Sequence, residues 1–305
     1  MGVMINGTYH MEDPGADTLN GGEFKRAEAK IRDWITPDGP FPPAAGRYHL
    51  YVAWNCPWAH RALIAREILG LKNDIPVSFA RPRRTDQGWV FDETGEYSDP
   101  ELGVSAIHEV YAHQHPGYTG RCTMPVLWDR ETRQIVSNES ADIIRMFLTF
   151  NKGPDLYPAP LRPQIDAWND RIYPTLNNGV YRAGFARTQD AYNIAVAEVF
   201  ETLDAIDAQL QKTKWLTGDQ MTEADLRLFP TLARFDVAYH YAFKCNIRRI
   251  TDYPALWTYA RRFYAMPGIA ETVRFEVYKN GYHSQSELRN PLGIIPAGPQ
   301  IDWSL

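Results

Sequence analysis

The chain has 305 residues, 44% hydrophobic and 23% charged, which suits a folded protein of about two domains with ample core. Its net charge of −5 argues against a nucleic-acid surface, because phosphate binding needs an excess of Lys and Arg. Three scattered cysteines (Cys56, Cys122, Cys245) speak against a disulfide framework or a zinc site, and no apolar run reaches the roughly 18 residues of a membrane span. A reduced, cytoplasmic protein without a metal is expected.

In chain order, residues 1–45 are rich in Gly, Pro, Asp and Thr and read as an extended arm with one short helix over 23–34. Residues 48–54 alternate as a strand does. A helix follows from Trp58, with a stripe of Ala62, Leu63, Ala65, Ile68 and Leu69 that Gly70 ends. Residues 75–79 make the next strand, so a βαβ unit and a parallel pair are predicted. Cys56 lies at the junction of strand and helix. Unpaired backbone N–H groups and the helix dipole favour a thiolate there, and such sites lower a thiol pKa from about 8.5 to roughly 3.5–7.5. Position 59 is Ala, so the second cysteine of a dithiol redox motif is missing and a thiol from elsewhere must resolve whatever Cys56 attacks. Cys122 and Cys245 lack such a setting and read as structural. His60, one turn past the thiol, reads as facing outward or packed rather than as a base.

Residues 81–120 carry five glycines and three prolines with little periodicity, which predicts a long loop, functional or disordered, with Trp89 its most conspicuous side chain. A strand over 124–128 opens on Pro125, and 134–136 pairs with it across the 129–133 turn. Ser137-Asn138-Glu139-Ser140 then caps a helix through Phe147. The order βαβ, loop, ββα is that of a thioredoxin-like domain. Residues 153–163, with four prolines, read as a linker. Beyond it the pattern is all-helical: a 3.6-residue stripe over 190–210, a capping box from Thr222 to Asp225 opening a second helix, and a third over 256–266. The tail from Asn290 is irregular.

A thioredoxin-like half joined to a helical half resembles the glutathione transferases, and within them the glutathionyl-hydroquinone reductases (the Xi class). The resemblance rests on Asn55-Cys56-Pro57-Trp58-Ala59-His60-Arg61, Gly88-Trp89, Met124-Pro125-Val126-Leu127-Trp128-Asp129 and Asn138-Glu139-Ser140. In the second half it rests on 177–186 (NNGVYRAGFA), Thr222-Glu223-Ala224-Asp225, Arg234-Phe235-Asp236 and Phe243-Lys244-Cys245-Asn246. It implies an α/β plus all-α fold: an arm over 1–45, a thioredoxin-like glutathione-binding domain over 46–152, an all-helical glutathione-transferase domain over 164–290 and a tail over 291–305. It implies a homodimer, with glutathione as co-substrate and an aromatic glutathionyl-hydroquinone as substrate.

The resemblance also assigns residues. Cys56 is the nucleophile and Tyr181 the proton donor facing it, while Tyr239 and Tyr282 point toward the thiol; Tyr241 competes with Tyr239 for that place. Trp89, Arg121, Met124, Pro125, Glu139 and Ser140 hold glutathione, with a cis Met124–Pro125 bond presenting the Met124 backbone. Ser140 and nearby N–H groups hold the γ-glutamyl carboxylate, and Glu139 the ammonium. Two other readings stay open: an omega-like thiol transferase, which shares the Cys56 chemistry but not the need for Tyr181, and a non-catalytic binding module with an unreactive thiol.

Overall fold

The computed structural model describes residues 2–11 and 20–305, which divide into two compact units. The first holds the described residues up to 11 together with Glu28–Pro154; the second holds 20–27 and Asp155–Leu305.

In the first unit, β1 (Val3–Ile5) and β2 (Thr8–His10) form a hairpin. Asn6 and Gly7, both at positive φ, turn it, the residue pair that a two-residue hairpin loop favours. The leading residues are thus not all extended arm. The central sheet has the order β4-β3-β6-β7. Its middle strand β3 (Tyr48–Ala53) is buried along its whole length, because it is flanked on both edges and covered by helices. It runs parallel to β4 (Val77–Ala80) across the crossover helix α1 (Pro57–Ile68), as the βαβ reading predicts. On its other edge it pairs antiparallel with β6 (Val126–Asp129), which continues into β7 (Gln134–Ser137). Helix α3 (Ser140–Phe147) packs beside α1. Arg47 and Asp129 form a buried two-pronged ion pair at 2.8 and 2.7 Å that ties β3 to β6.

Two expectations need correction. No helix forms over 23–34. Instead the main chain near Arg32 pairs with β7: Asp33 N–H donates to Val136 at 2.9 Å and Asn138 N–H to Ile31 at 3.1 Å. Arg32 adds a fork to Asp142 at 2.7 and 2.8 Å. Backbone pairing with an existing strand outweighs the modest helix propensity of the segment. The 81–120 stretch is not structureless either. It holds α2 (Ile107–Gln114) and β5 (Gly120–Arg121), the latter pairing with β1. Buried Asp99 organises its middle, accepting N–H bonds from Glu101, Leu102 and Val104 at 3.1–3.3 Å and the Ser78 hydroxyl at 3.1 Å. One carboxylate does what periodicity does elsewhere.

The second unit is helical. After a 3₁₀ turn at Ala159–Leu161 comes α4 (Arg162–Ile172), so the proline-rich linker ends inside a helix, with Pro163 in its first turn, where no N–H is needed. A π-helical segment, Tyr173–Asn177, leads into α5 (Gly179–Phe185), which packs on the long α6 (Gln189–Leu210). Helix α7 (Glu223–Arg234) opens on the predicted capping box: Thr222 N–H donates to Asp225 at 2.8 Å. A second π-helical segment, Phe235–Tyr239, and the short α8 (His240–Ala242) follow. Helices α9 (Pro254–Tyr264) and α10 (Phe275–Tyr282) complete the unit. Among the described residues no helix is long and apolar enough to cross a membrane.

Candidate functional site

In the first unit the reactive end is built mostly from backbone. Cys56 is the N-cap of α1, extended at φ −82°, and Pro57 is the first helical residue. The Ala59 N–H points at Cys56 Sγ at 3.5 Å, an orphan helix donor that favours an anionic sulfur. Against it, the thiol donates to the Met124 carbonyl at 3.3 Å, a bond only the protonated form makes. Cys56 is buried but not sealed, at 8% exposure. The Met124–Pro125 bond is cis. Strand β6 begins two residues after Met124, whose carbonyl faces the thiol.

Glu139 and Ser140 sit at the start of α3. Glu139 caps the helix, its Oε1 accepting the Ala141 N–H at 2.9 Å and the Ser140 hydroxyl at 3.4 Å. The helix start here already holds one carboxylate, that of Glu139, with the Ser140 hydroxyl beside it. Arg61, on the turn of α1 after Cys56, is fully buried and donates to Ser140 Oγ at 3.5 Å while stacking on Trp58 at 4.6 Å. Sequence reasoning gave Arg61 no role; its spacing of one helical turn from Pro57 was the available signal. Trp89 is buried in the 81–120 stretch, its carbonyl accepting the Ile107 N–H at 2.9 Å and its ring under Arg84 at 5.5 Å. Arg121 lies in β5 opposite Val3. His60 is packed inside at 1% exposure.

The other two cysteines differ from Cys56. Both are buried, and burial pushes the Cys122 thiol up to about 12 and the Cys245 thiol well above its ordinary value. Neither is suited to attack. All three are free of disulfides. Among the described residues no group of three His, Cys, Asp or Glu is placed to hold a metal ion.

In the second unit three tyrosines far apart in sequence join into one chain. The Tyr181 and Tyr282 hydroxyls lie 2.6 Å apart, and those of Tyr239 and Tyr282 lie 3.2 Å apart. Phe243 packs against all three rings, with centroids 5.2–5.5 Å away. Tyr241 does not join them: it is 70% exposed and tilts against His283. Of the two candidates, Tyr239 is therefore the member of the cluster. Burial pushes Tyr239 and Tyr282 well above the ordinary tyrosine range. Arg26, which the sequence reading passed over, lies 4.7 Å over the Tyr181 ring and donates to Asn178 Oδ1 at 2.8 Å. Such an arrangement can donate a proton and share the charge left behind.

Comparison with known proteins agrees with both halves. Residues 55–149 match the glutathione S-transferase N-terminal domain, and residues 166–262 its C-terminal domain. The chain is 47% identical to the glutathionyl-hydroquinone reductase YqjG of Escherichia coli, over 99% of this chain and 96% of that one. It is 44% identical to the glutathionyl-hydroquinone reductase PcpF of Sphingobium chlorophenolicum, over 98% and 96%. The glutathione-bound structure of YqjG superposes with a TM-score of 0.86 at 46% identity, covering 90% of this chain and 94% of that one. The two matched domains and the near full-length identity place the chain in the glutathionyl-hydroquinone reductase family of the glutathione transferases.

Proposed function

We propose that Cys56 and Tyr181 carry the two halves of the reaction in this glutathionyl-hydroquinone reductase, which uses glutathione as co-substrate. The substrate is an aryl thioether of glutathione. Cys56 thiolate attacks the glutathione sulfur, an S–S bond forms, and the S–C bond to the ring breaks. The ring carbon leaves with the electron pair and is a poor leaving group unless protonated, so Tyr181 gives it a proton. Hydroquinone departs and Cys56 remains joined to glutathione. A second glutathione, as thiolate, attacks the glutathione sulfur of that mixed disulfide and releases glutathione disulfide. The missing cysteine at position 59 is what makes the second glutathione necessary.

The observation that carries this reading is the Cys56 sulfur at the start of α1 with the Ala59 N–H aimed at it. Glutathione is held by the Met124 backbone, by Ser140 and Glu139 at the α3 start, and by Trp89 and Arg121. The chain acts as a cytoplasmic homodimer, for which exposed apolar side chains Tyr241, Leu288, Leu292 and Ile294 offer surface; sedimentation would show a monomer if this is wrong.

Tyr181→Phe tests the assignment. Reduction of a glutathionyl-hydroquinone should fall about 10²- to 10⁴-fold, the usual worth of a general acid, while exchange with a glutathione mixed disulfide stays intact. An unchanged reduction rate would remove Tyr181 from the mechanism. Mass spectrometry should also find a glutathione adduct on Cys56 after a single turnover, absent in Cys56→Ser.

A further inference from the structure

Arg234 ends α7 with no exposed surface at all, and the steps above leave its charge without a task. Its guanidinium carbon lies 3.7 Å from the centroid of the Tyr278 ring, and its Nη1 donates to the Pro230 carbonyl at 2.9 Å. The π-helical segment that starts at the next residue ends on Tyr239, and Tyr278 and Tyr282 are one turn apart on α10. Arg234 thus stacks on a ring one turn before Tyr282, the middle member of the hydroxyl chain that runs Tyr239, Tyr282, Tyr181. A guanidinium stays charged, and burying it is expensive. Packing alone would be met by Met or Leu at this place.

The electrostatic setting gives the charge a use. Burial is the main force holding Tyr239 and Tyr282 protonated, Tyr181 adds to it at both, and the Arg234 charge opposes it at both, joined at Tyr282 by the Tyr239 hydrogen bond. Other groups packed near the cluster are less effective. Arg26 stacks on Tyr181 and Arg289 on Phe243, but both are partly open to solvent, which screens them. Buried Asp236 is bound to the Ile250 and Thr251 N–H groups, Lys279 donates to the Ala297 carbonyl, and burial keeps His283 neutral by lowering its pKa.

We propose that Arg234 is the positioning residue of proton delivery: its buried charge makes the tyrosine chain a better acid and stabilises the tyrosinate formed when Tyr181 protonates the ring carbon. This rests on the assignment of Tyr181 as the acid. When Tyr181 loses its proton, Tyr282 donates to the Tyr181 oxygen and Tyr239 donates to Tyr282, so the negative charge is drawn toward Arg234. The proton that a second glutathione sheds on becoming a thiolate restores Tyr181 through solvent, and the cycle balances.

The experiment compares Arg234→Met, Arg234→Lys and wild type on a glutathionyl-hydroquinone across pH, with the tyrosinate absorbance titrated in parallel. Arg234→Met should reduce kcat about 10- to 100-fold at neutral pH. It should also move the alkaline limb and the tyrosinate titration upward, because a tyrosine without a nearby cation is a weaker acid. Arg234→Lys, which keeps the charge, should restore both toward wild type. Arg234→Gln keeps a donor for Pro230 without the charge and replaces the methionine variant should that one not fold. A folded neutral variant with the wild-type limb and a rate within about threefold would overturn the role of Arg234. If Tyr181→Phe loses reduction in the same assay, only the role of Arg234 has failed; if Tyr181→Phe keeps it, the assignment beneath has failed.

Discussion

The thiol end and the tyrosine cluster solve their problems with different materials. In the proposed reaction the groups that act beside Cys56 are backbone: the Ala59 N–H and the Met124 carbonyl. Their positions follow from where a helix starts at Pro57 and a strand starts just past Pro125. Around Tyr181 the working groups are side chains, joined across 101 residues of sequence to Tyr282 and 43 from there to Tyr239. Backbone groups tolerate changes of neighbouring side chains that leave the helix and strand starts alone. A side-chain site is as fragile as its least replaceable hydroxyl.

That contrast can be broken at four points, in falling order of effect. Cys56→Ser should abolish both aryl-thioether reduction and thiol exchange, by more than about 10³-fold, since a serine hydroxyl cannot attack sulfur at neutral pH; a measurable exchange rate would mean another thiol reacts. Tyr282→Phe should cost reduction about 10-fold by removing the middle of the hydroxyl chain, with exchange unchanged. Equal loss in both assays would mean that Tyr282 is structural. Ser140→Ala should raise the KM for glutathione about 10-fold with kcat nearly unchanged, as loss of one hydrogen bond to a charged group does. If kcat falls instead, the α3 start acts on chemistry and not on holding.

The same contrast explains what the sequence could disclose. Cys56, Pro57 and the Gly70 stop announce a strand-to-helix junction through local rules, so β3, α1 and β4 were readable within a residue or two. Pro125 and Glu139-Ser140 likewise mark element starts. The tyrosines carry no local signal: Tyr181 is one of 17 tyrosines, and only the surrounding NNGVYRAGFA run, by resemblance, lifted it out. What brings Tyr239 into the cluster is a π-helical segment, which shifts the register of the helix after Arg234 and has no signature in apolar periodicity. The failed helix over 23–34 has the same origin in reverse. Its residues have adequate helix propensity, but β7 offered Asp33 and Ile31 main-chain partners that only the folded sheet supplies.

The smallest effect on activity, and the most informative about the frame under the tyrosines, is expected at Asp225. Its carboxylate is buried at the start of α7, whose other end carries Arg234 and the turn to Tyr239. It accepts the Thr222 N–H at 2.8 Å, the Leu216 N–H at 3.0 Å and the Tyr259 hydroxyl at 3.1 Å. Burial still raises its pKa from the usual carboxylate value to about 6, against the pull of those bonds. Between about pH 4 and 6 the folded protein therefore holds a proton that the unfolded chain has released. That linkage favours folding below about pH 4 and is lost as pH rises through 6. Asp225→Asn keeps one acceptor oxygen and leaves at least one donor unmatched, so it should destabilise the fold by about 1–3 kcal/mol at pH 7. Because the variant cannot take up the proton, its deficit against wild type should widen as pH falls from 6 to 4. Urea unfolding at both pH values measures this, and a deficit that narrows toward acid would mean that Asp225 is charged throughout, with its hydrogen bonds outweighing its burial.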